Sequence, residues 1–226
     1  MTRVSIRGNP VRKSTDVIEC ILFDSDGTLV DSEPLSFQVL AGMFSAHGID
    51  LDPEALHLDY RGWKMGEVMD LLFRQQGREL PDGFEQAFRE QQMLDFDTAL
   101  QPIPGVAELL ATLDLPMAVV TSGPMPKVRK ALKITGLDSH FDDNIYSAYE
   151  VGVFKPDPGI YRHAADDMGY DISRCLAVED SPIGLEAAAT CGAVPVFLNR
   201  YGDSIKYNNV IEIKRMSELS QVIDNQ

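Results

Sequence analysis

Short, nearly unbroken apolar runs recur along the chain, and each ends abruptly in a polar residue. Val17 to Phe23 (VIECILF) ends at Asp24 and Pro116 to Val120 (PMAVV) at Thr121. Arg174 to Val178 (RCLAV) ends at Glu179-Asp180, and Val194 to Leu198 (VPVFL) at Asn199. Runs of this length without polar alternation predict strands buried on both faces, the condition of a parallel sheet. Between them lie stretches suited to helices, Gly105 to Leu113, Pro126 to Ile134, Asp157 to Met168 and Pro182 to Cys191, each introduced by Pro, Ser or Asp near its start. The alternation predicts an α/β fold built on a parallel, doubly wound sheet.

One interval breaks the rhythm. Roughly 100 residues separate Asp24 from Thr121, several times the ~30 of an ordinary βαβ unit. Within it, Leu35, Val39, Leu40 and Met43, then Val68, Met69, Leu71 and Leu72, then Phe84, Ala87 and Phe88 show helical spacing, with no convincing strand. A small helical cap domain over 34–100 is therefore expected, hinged near Asp31 to Pro34 and Ala99 to Pro104, inside a core made of 17–33 and 101–226. Residues 1–16 read as a flexible basic tail. Arg3, Arg7, Arg12 and Lys13 without an acid suit an organellar presequence, but Gly8-Asn9-Pro10 would interrupt the amphipathic helix it needs.

Composition narrows the partners. The chain has 226 residues, 44% hydrophobic and 24% charged, which is globular rather than disordered or rod-like. Thirty-five acidic against 20 basic side chains give a net charge of -15, which disfavours nucleic acid and anionic lipid and leaves small molecules as the expected partners. No apolar run approaches the ~20 residues of a membrane span. Cys20, Cys175 and Cys191 form no C-x-x-C pair, and His47, His57, His140 and His163 lack zinc spacing. Reduced thiols in a cytoplasmic protein are expected, with Cys175 and Cys191 as core packing and His47 at a helix end beside Gly48.

In an open parallel sheet, ligands bind beyond the carboxyl ends of the strands, so Asp24, Thr121, Glu179 and Asp180 are the residues to inspect. Asp24-Ser25-Asp26-Gly27-Thr28 places two carboxylates two positions apart before a glycine that permits a sharp turn. Several carboxylates at one sheet edge repel unless a cation neutralises them, and all-oxygen ligands favour Mg²⁺. The competing reading is a calcium loop, whose glycine stands sixth between two helices; here Gly27 stands fourth and a strand precedes it. Thr121-Ser122-Gly123 before a helix offers a hydroxyl and N–H groups to an anionic oxygen, or only a cap. Lys155, in Phe154-Lys155-Pro156-Asp157-Pro158, is held in a stiff loop ahead of a helix.

Taken together and in this order, DSDGT, the strand-closing Thr, the Lys of KPDP and the later ED resemble the four motifs of the haloacid dehalogenase superfamily. DGTLVDSE and VEDSPIGLEAA are similar to its β-phosphoglucomutase-like phosphatases. GIDLDPEAL and YRGWKMGEVMDLL, within the insertion, are most similar to bacterial 6-phosphogluconate phosphatases. The resemblance covers nearly the whole chain past the tail. It implies a Rossmann-like core with a helical cap of the C1 type and a Mg²⁺-dependent phosphatase acting on a small phosphate ester. The chain is expected to be a monomer, with a dimer left open.

The same resemblance implies that Asp24 is the nucleophile forming an aspartyl phosphate and that Asp26 is the general acid and then base. Mg²⁺ would be held by Asp24, the backbone carbonyl of Asp26 and Asp180, with Glu179 among or behind the ligands. Thr121 Oγ1 and the N–H of Ser122, with Gly123 in the same loop, would bind phosphoryl oxygens, while Lys155 offsets charge. Dehalogenases of this fold need no acid at the place of Asp26, so its presence argues for phosphate. Mutases add a His and an Arg at places that fall here on Ser36 and Met65; their loss favours hydrolysis, although Lys64 could stand in for the Arg. A non-catalytic binding protein is the remaining alternative. Arg61, Trp63 and Lys64 are the candidates for substrate choice, with a sugar acid phosphate such as 6-phosphogluconate as the expected substrate. A solvated pair of helix-end charges beside a packing Trp explains the same three residues equally well.

Overall fold

The computed structural model describes residues 17–225, and the basic stretch 1–16 expected as a tail lies outside the described residues. Six parallel strands form one sheet in the order β3-β2-β1-β4-β5-β6. They are β1 Cys20–Phe23, β2 Met117–Thr121, β3 Ile145–Ser147, β4 Cys175–Glu179, β5 Val194–Leu198 and β6 Ile211–Ile213. The four apolar runs supply β1, β2, β4 and β5. The outer strands β3 and β6 are three residues each, too short to show a periodic signature.

Alternate side chains along the strands feed two different cores. Ile21, Phe23, Val119, Leu176 and Val178 face one side, with Val128 and Leu132 of α6 (Met125–Thr135) and Val106 and Leu109 of α5 (Val106–Leu110). Cys20, Leu22, Ala118, Cys175 and Ala177 face the other, where small residues admit α8 (Gly159–Asp167) and α9 (Pro182–Cys191), which bring Ile160, Tyr161, Ala187 and Ala188. The Cys20, Cys175 and Cys191 thiols are buried in this second layer. The short α10 (Leu219–Asp224) closes the chain on the first side, with Leu219 and Val222 in its core.

Between β1 and α5 the chain makes four helices, α1 Ser32–Ala46, α2 Pro53–Tyr60, α3 Met65–Gln75 and α4 Phe84–Ala99. Helix α2, whose N-cap Asp52 accepts from the Glu54 N–H, was not among the segments expected from spacing. The four helices bury a core of their own around Phe44, Phe73 and Phe84, whose ring centroids lie 4.4, 5.4 and 5.0 Å apart. Phe96 and Leu100 instead join the core beneath the sheet, so the end of α4 anchors the insertion to it. The two connections run side by side: the Asp31 N–H donates to Gln101 O, the Ile103 N–H donates to Leu29 O, and Val30 bridges Pro102 antiparallel.

Candidate active site

The strand register brings the polar residues that end the apolar runs to one edge of the sheet. Phe23 is level with Val119 on one side and Val178 on the other, so Asp24, Thr121 and Glu179 emerge together at the carboxyl ends. The Asp24 N–H still donates to Val178 O at 2.9 Å, which fixes where its side chain leaves the sheet. This edge lies where the sheet order reverses direction about β1 and β4, the usual position of a site in such sheets.

Lys155 links the carboxylates. Its Nζ lies 2.5 Å from Asp24 Oδ1 and 2.6 Å from Glu179 Oε1, and it donates to Val120 O at 2.7 Å. Tyr161 of α8 donates its hydroxyl to the same Glu179 Oε1 at 2.5 Å. Asp180 is held on one oxygen by the Thr28 hydroxyl at 3.1 Å. That leaves Glu179 Oε2 and Asp180 Oδ2 buried with no hydrogen-bond partner. Asp24, Glu179 and Asp180 each offer an oxygen within 4.8 Å of the others. A Cβ on Gly27 would overlap Asp180 and one on Gly184 would overlap Glu179, so glycine is required in the turn after β1 and in the first turn of α9 for the backbone to approach these carboxylates.

Burial pushes the Asp24 carboxyl up to about 8 against the pull of Lys155, with Glu179 and Asp26 adding to the rise. Burial likewise raises Asp180 well above the carboxylate range, helped by Glu33, Asp24 and Glu179. One lysine cannot balance three buried carboxylates, and two orphaned oxygens face no donor. An all-oxygen donor set of this kind fits a hard divalent cation. Burial by itself would lower Lys155, but the charges of Asp24 and Glu179 outweigh it and keep the ammonium protonated.

Asp26 stands apart from this cluster. Its Oδ1 receives Lys127 Nζ at 2.7 Å and also the Ser32 hydroxyl. Burial works to raise this carboxyl as well, yet Lys127 and Ser32 outweigh it and hold Asp26 below its ordinary value. The loop after β2 is braced from two sides: the Gly123 N–H donates to Thr121 Oγ1 at 2.9 Å, and Ser147 at the end of β3 donates to Gly123 O at 2.7 Å. A side chain at position 123 would crowd Asp26 Oδ2 and Thr121 Oγ1, each 3.3 Å from its Cβ position.

The helical insertion roofs these groups over a cavity of about 80 Å³, with Asp24, Asp26, Thr121 and Lys155 on its floor. Lys64 and Trp63 reach its wall, whereas Arg61 does not. Arg61 is buried, paired with Asp203 and stacked 4.4 Å from the Tyr201 ring centroid, so it ties the insertion to the loop after β5 instead of meeting the cavity. Lys64 Nζ lies 3.8 Å over the Phe154 ring and 3.4 Å from Glu67. Gly62, at positive φ, presses against Ser181 and donates its N–H to Glu33 Oε1 at 2.9 Å, which carries the loop across to the core.

Four groups at the site were not anticipated. Lys127 stands in the first turn of α6, on the helix that follows Thr121-Ser122-Gly123. Ser32 opens α1, and Arg89 and Gln92 of α4 line the cavity wall. The sequence does carry a signal for Gln92: Phe84, Phe88, Gln92 and Phe96 are four apart on the buried face of α4, and one of the four is polar.

Known proteins resemble this chain over most of its length. The profile of the family described as "Hydrolase: haloacid dehalogenase-like hydrolase" matches residues 18–192. A 6-phosphogluconate phosphatase of Escherichia coli is 34% identical over 176 residues, covering 77% of this chain and 80% of that protein. Hexitol phosphatase A of Escherichia coli is 31% identical over 193 residues, covering 84% and 87%. The crystal structure of a family hydrolase from Deinococcus radiodurans with bound phosphate and sodium superposes with a TM-score of 0.73 at 25% identity, covering 93% of this chain and 96% of that one.

Proposed function

The chain belongs to the haloacid dehalogenase-like hydrolase family and is a phosphatase of that family, and from that premise we propose that it hydrolyses an open-chain sugar acid or polyol phosphate, 6-phosphogluconate first among them, with Mg²⁺. The observation that carries the reading is the Lys155–Asp24 pair on the floor of a cavity that also holds Thr121, Ser122 and Asp26. The two Escherichia coli relatives act, by name, on a sugar acid phosphate and on hexitol phosphates.

The Asp24 carboxylate attacks phosphorus, forming an acyl phosphate on Asp24 as the bond from phosphorus to the leaving oxygen breaks. Thr121 Oγ1 and the Ser122 N–H hold phosphoryl oxygens, and Lys155 offsets the charge shared by Asp24 and the transferring group. An incoming phosphoryl dianion competes with Asp26 for Lys127, which lets Asp26 carry the proton it gives to the leaving alkoxide. Asp26 then takes a proton from water as that water attacks phosphorus and the Asp24 bond breaks, releasing inorganic phosphate. Its pairing with Lys127 and Ser32 favours the carboxylate that this second step needs. Asp24, Asp180 and the Asp26 backbone carbonyl would hold the Mg²⁺, with Glu179 beside them. When bound, the ion offsets the charge of the carboxylates and of the phosphoryl group during transfer.

The insertion acts as a cap that excludes water from the aspartyl phosphate. With Arg61 committed to Asp203, Lys64 and Arg89 are the cations that face a substrate carboxylate. Ser36 and Met65 also line the cavity, so the places where the resemblance puts a mutase's His and Arg carry neither, which favours hydrolysis. Phosphate release across sugar phosphates, polyol phosphates, sugar acid phosphates and nucleotides, with Mg²⁺ and with chelator, tests the reading. Mg²⁺-dependent release concentrated on 6-phosphogluconate and its open-chain relatives is expected. Release from nucleotides alone, or from nothing, would contradict it.

A further inference from the structure

We propose that Gln92 reads a hydroxyl on the carbon adjoining the phosphate ester, and that this contact selects open-chain polyol phosphates over pyranose phosphates. The inference rests on the phosphatase reading above and adds to it the group that recognises the leaving alcohol.

Gln92 lies 1% exposed on the cavity wall, and its Oε1 is buried without a hydrogen-bond partner. The direction of its amide is fixed by its neighbour. Ser36 has one hydroxyl proton, and it donates that proton to Ser32 O at 2.7 Å, one turn back along α1. Ser36 Oγ can then only accept, so the group 2.7 Å away is the Gln92 Nε2 amide, and Oε1 is the free end. A buried acceptor with no donor costs free energy until something in the cavity meets it, and the only group an alcohol offers for that purpose is a hydroxyl proton.

The same chain of contacts locates that hydroxyl. Ser32 gives its own hydroxyl to Asp26 Oδ1, and Asp26 faces the leaving oxygen in the proposed reaction. Ser36 follows four residues later, about 6 Å along the axis. Gln92 is thus joined to the acid by one chain of contacts, Asp26 to Ser32 to Ser36 to Gln92, and brings its unpaired acceptor to the same cavity, which suits the carbon next to the ester. In an open-chain polyol or sugar acid phosphate that carbon bears a free hydroxyl, a donor. In a hexopyranose 6-phosphate the corresponding oxygen is closed into the ring and can only accept, so it would face Gln92 Oε1 acceptor to acceptor. A site built to bond a hydroxyl rejects an analogue without one because its own buried group is left unpaired.

The test compares glycerol 1-phosphate with propane-1,3-diol monophosphate, which differ only in the hydroxyl of the middle carbon. The wild-type protein should favour the first in kcat/KM by about tenfold or more. Gln92→Met, close in size but without an acceptor, should bring the ratio to within about twofold of one. Ser36→Ala, which unlocks the amide, should lower the ratio as well and carries the test if Gln92→Met does not fold. A ratio near one in the wild type, or one unchanged in the variants, would overturn the inference while phosphate release itself leaves the phosphatase reading standing. Release from no ester at all would overturn both.

Discussion

The floor and the wall of the cavity are built on different principles. On the floor the charged groups are tied together across elements: Lys155 alone spans Asp24, Glu179 and the backbone of β2, and Tyr161, Thr28 and Ser147 brace the groups around it. The wall is held loosely. Lys64 rests on an aromatic face, Arg89 pairs with Glu85 one turn away at 3.1 Å and lies 5.7 Å from the Phe88 ring centroid, and Trp63 is 45% exposed. Its rigid exception is Gln92, fixed through Ser36. On the proposed reaction the contrast separates two tasks: the sheet would fix the chemistry, and the helical insertion, with an aromatic core of its own, would present adaptable side chains to the leaving group.

Breaking the floor should have the largest effect. Asp24→Asn removes the proposed nucleophile while keeping the side chain's shape, and kcat should fall by at least about a thousandfold with circular dichroism unchanged. Near wild-type turnover would remove Asp24 from its role.

A second effect concerns charge on the floor. Asp24 is raised to about 8, so between roughly pH 4 and 8 the metal-free folded protein holds more protons than the unfolded chain, and stability must fall as pH rises through that window. Below it both states are protonated and the penalty is absent. Melting temperatures in chelator should therefore decline across the window, and Mg²⁺ should flatten the slope by neutralising the cluster. Parallel profiles with and without Mg²⁺ would place the ion elsewhere.

Changes to the wall should be smaller and selective. Lys64→Ala and Arg89→Ala should raise KM for 6-phosphogluconate several-fold, about 1 kcal/mol each, and raise it less for a hexitol phosphate that lacks the carboxylate. Equal increases for both substrates would show that these cations serve only general attraction in a chain of net charge -15.

The same division governs what the sequence reveals. Floor residues close buried strands, and an unbroken apolar run that stops at Asp24 or Glu179 states both the strand and the place of the carboxylate. Nothing so local announces Lys127, which reaches Asp26 from 101 positions along the chain. The wall is harder still, because its geometry depends on how four helices pack. Arg61 and Lys64 are three residues apart in sequence, yet one is spent on Asp203 and the other meets the cavity. Strands β3 and β6 escaped notice for a different reason: three residues on a sheet edge carry too little pattern to separate them from a loop.

The most direct test of the account is to quench the protein with 6-phosphogluconate and Mg²⁺ in acid within the first turnover, then map phosphorylated peptides by mass spectrometry. The account predicts one phosphoryl group on the peptide carrying Asp24, lost on a longer chase and missing in Asp24→Asn. Phosphate release without any phosphorylated aspartate, or with the label on another residue, would contradict it.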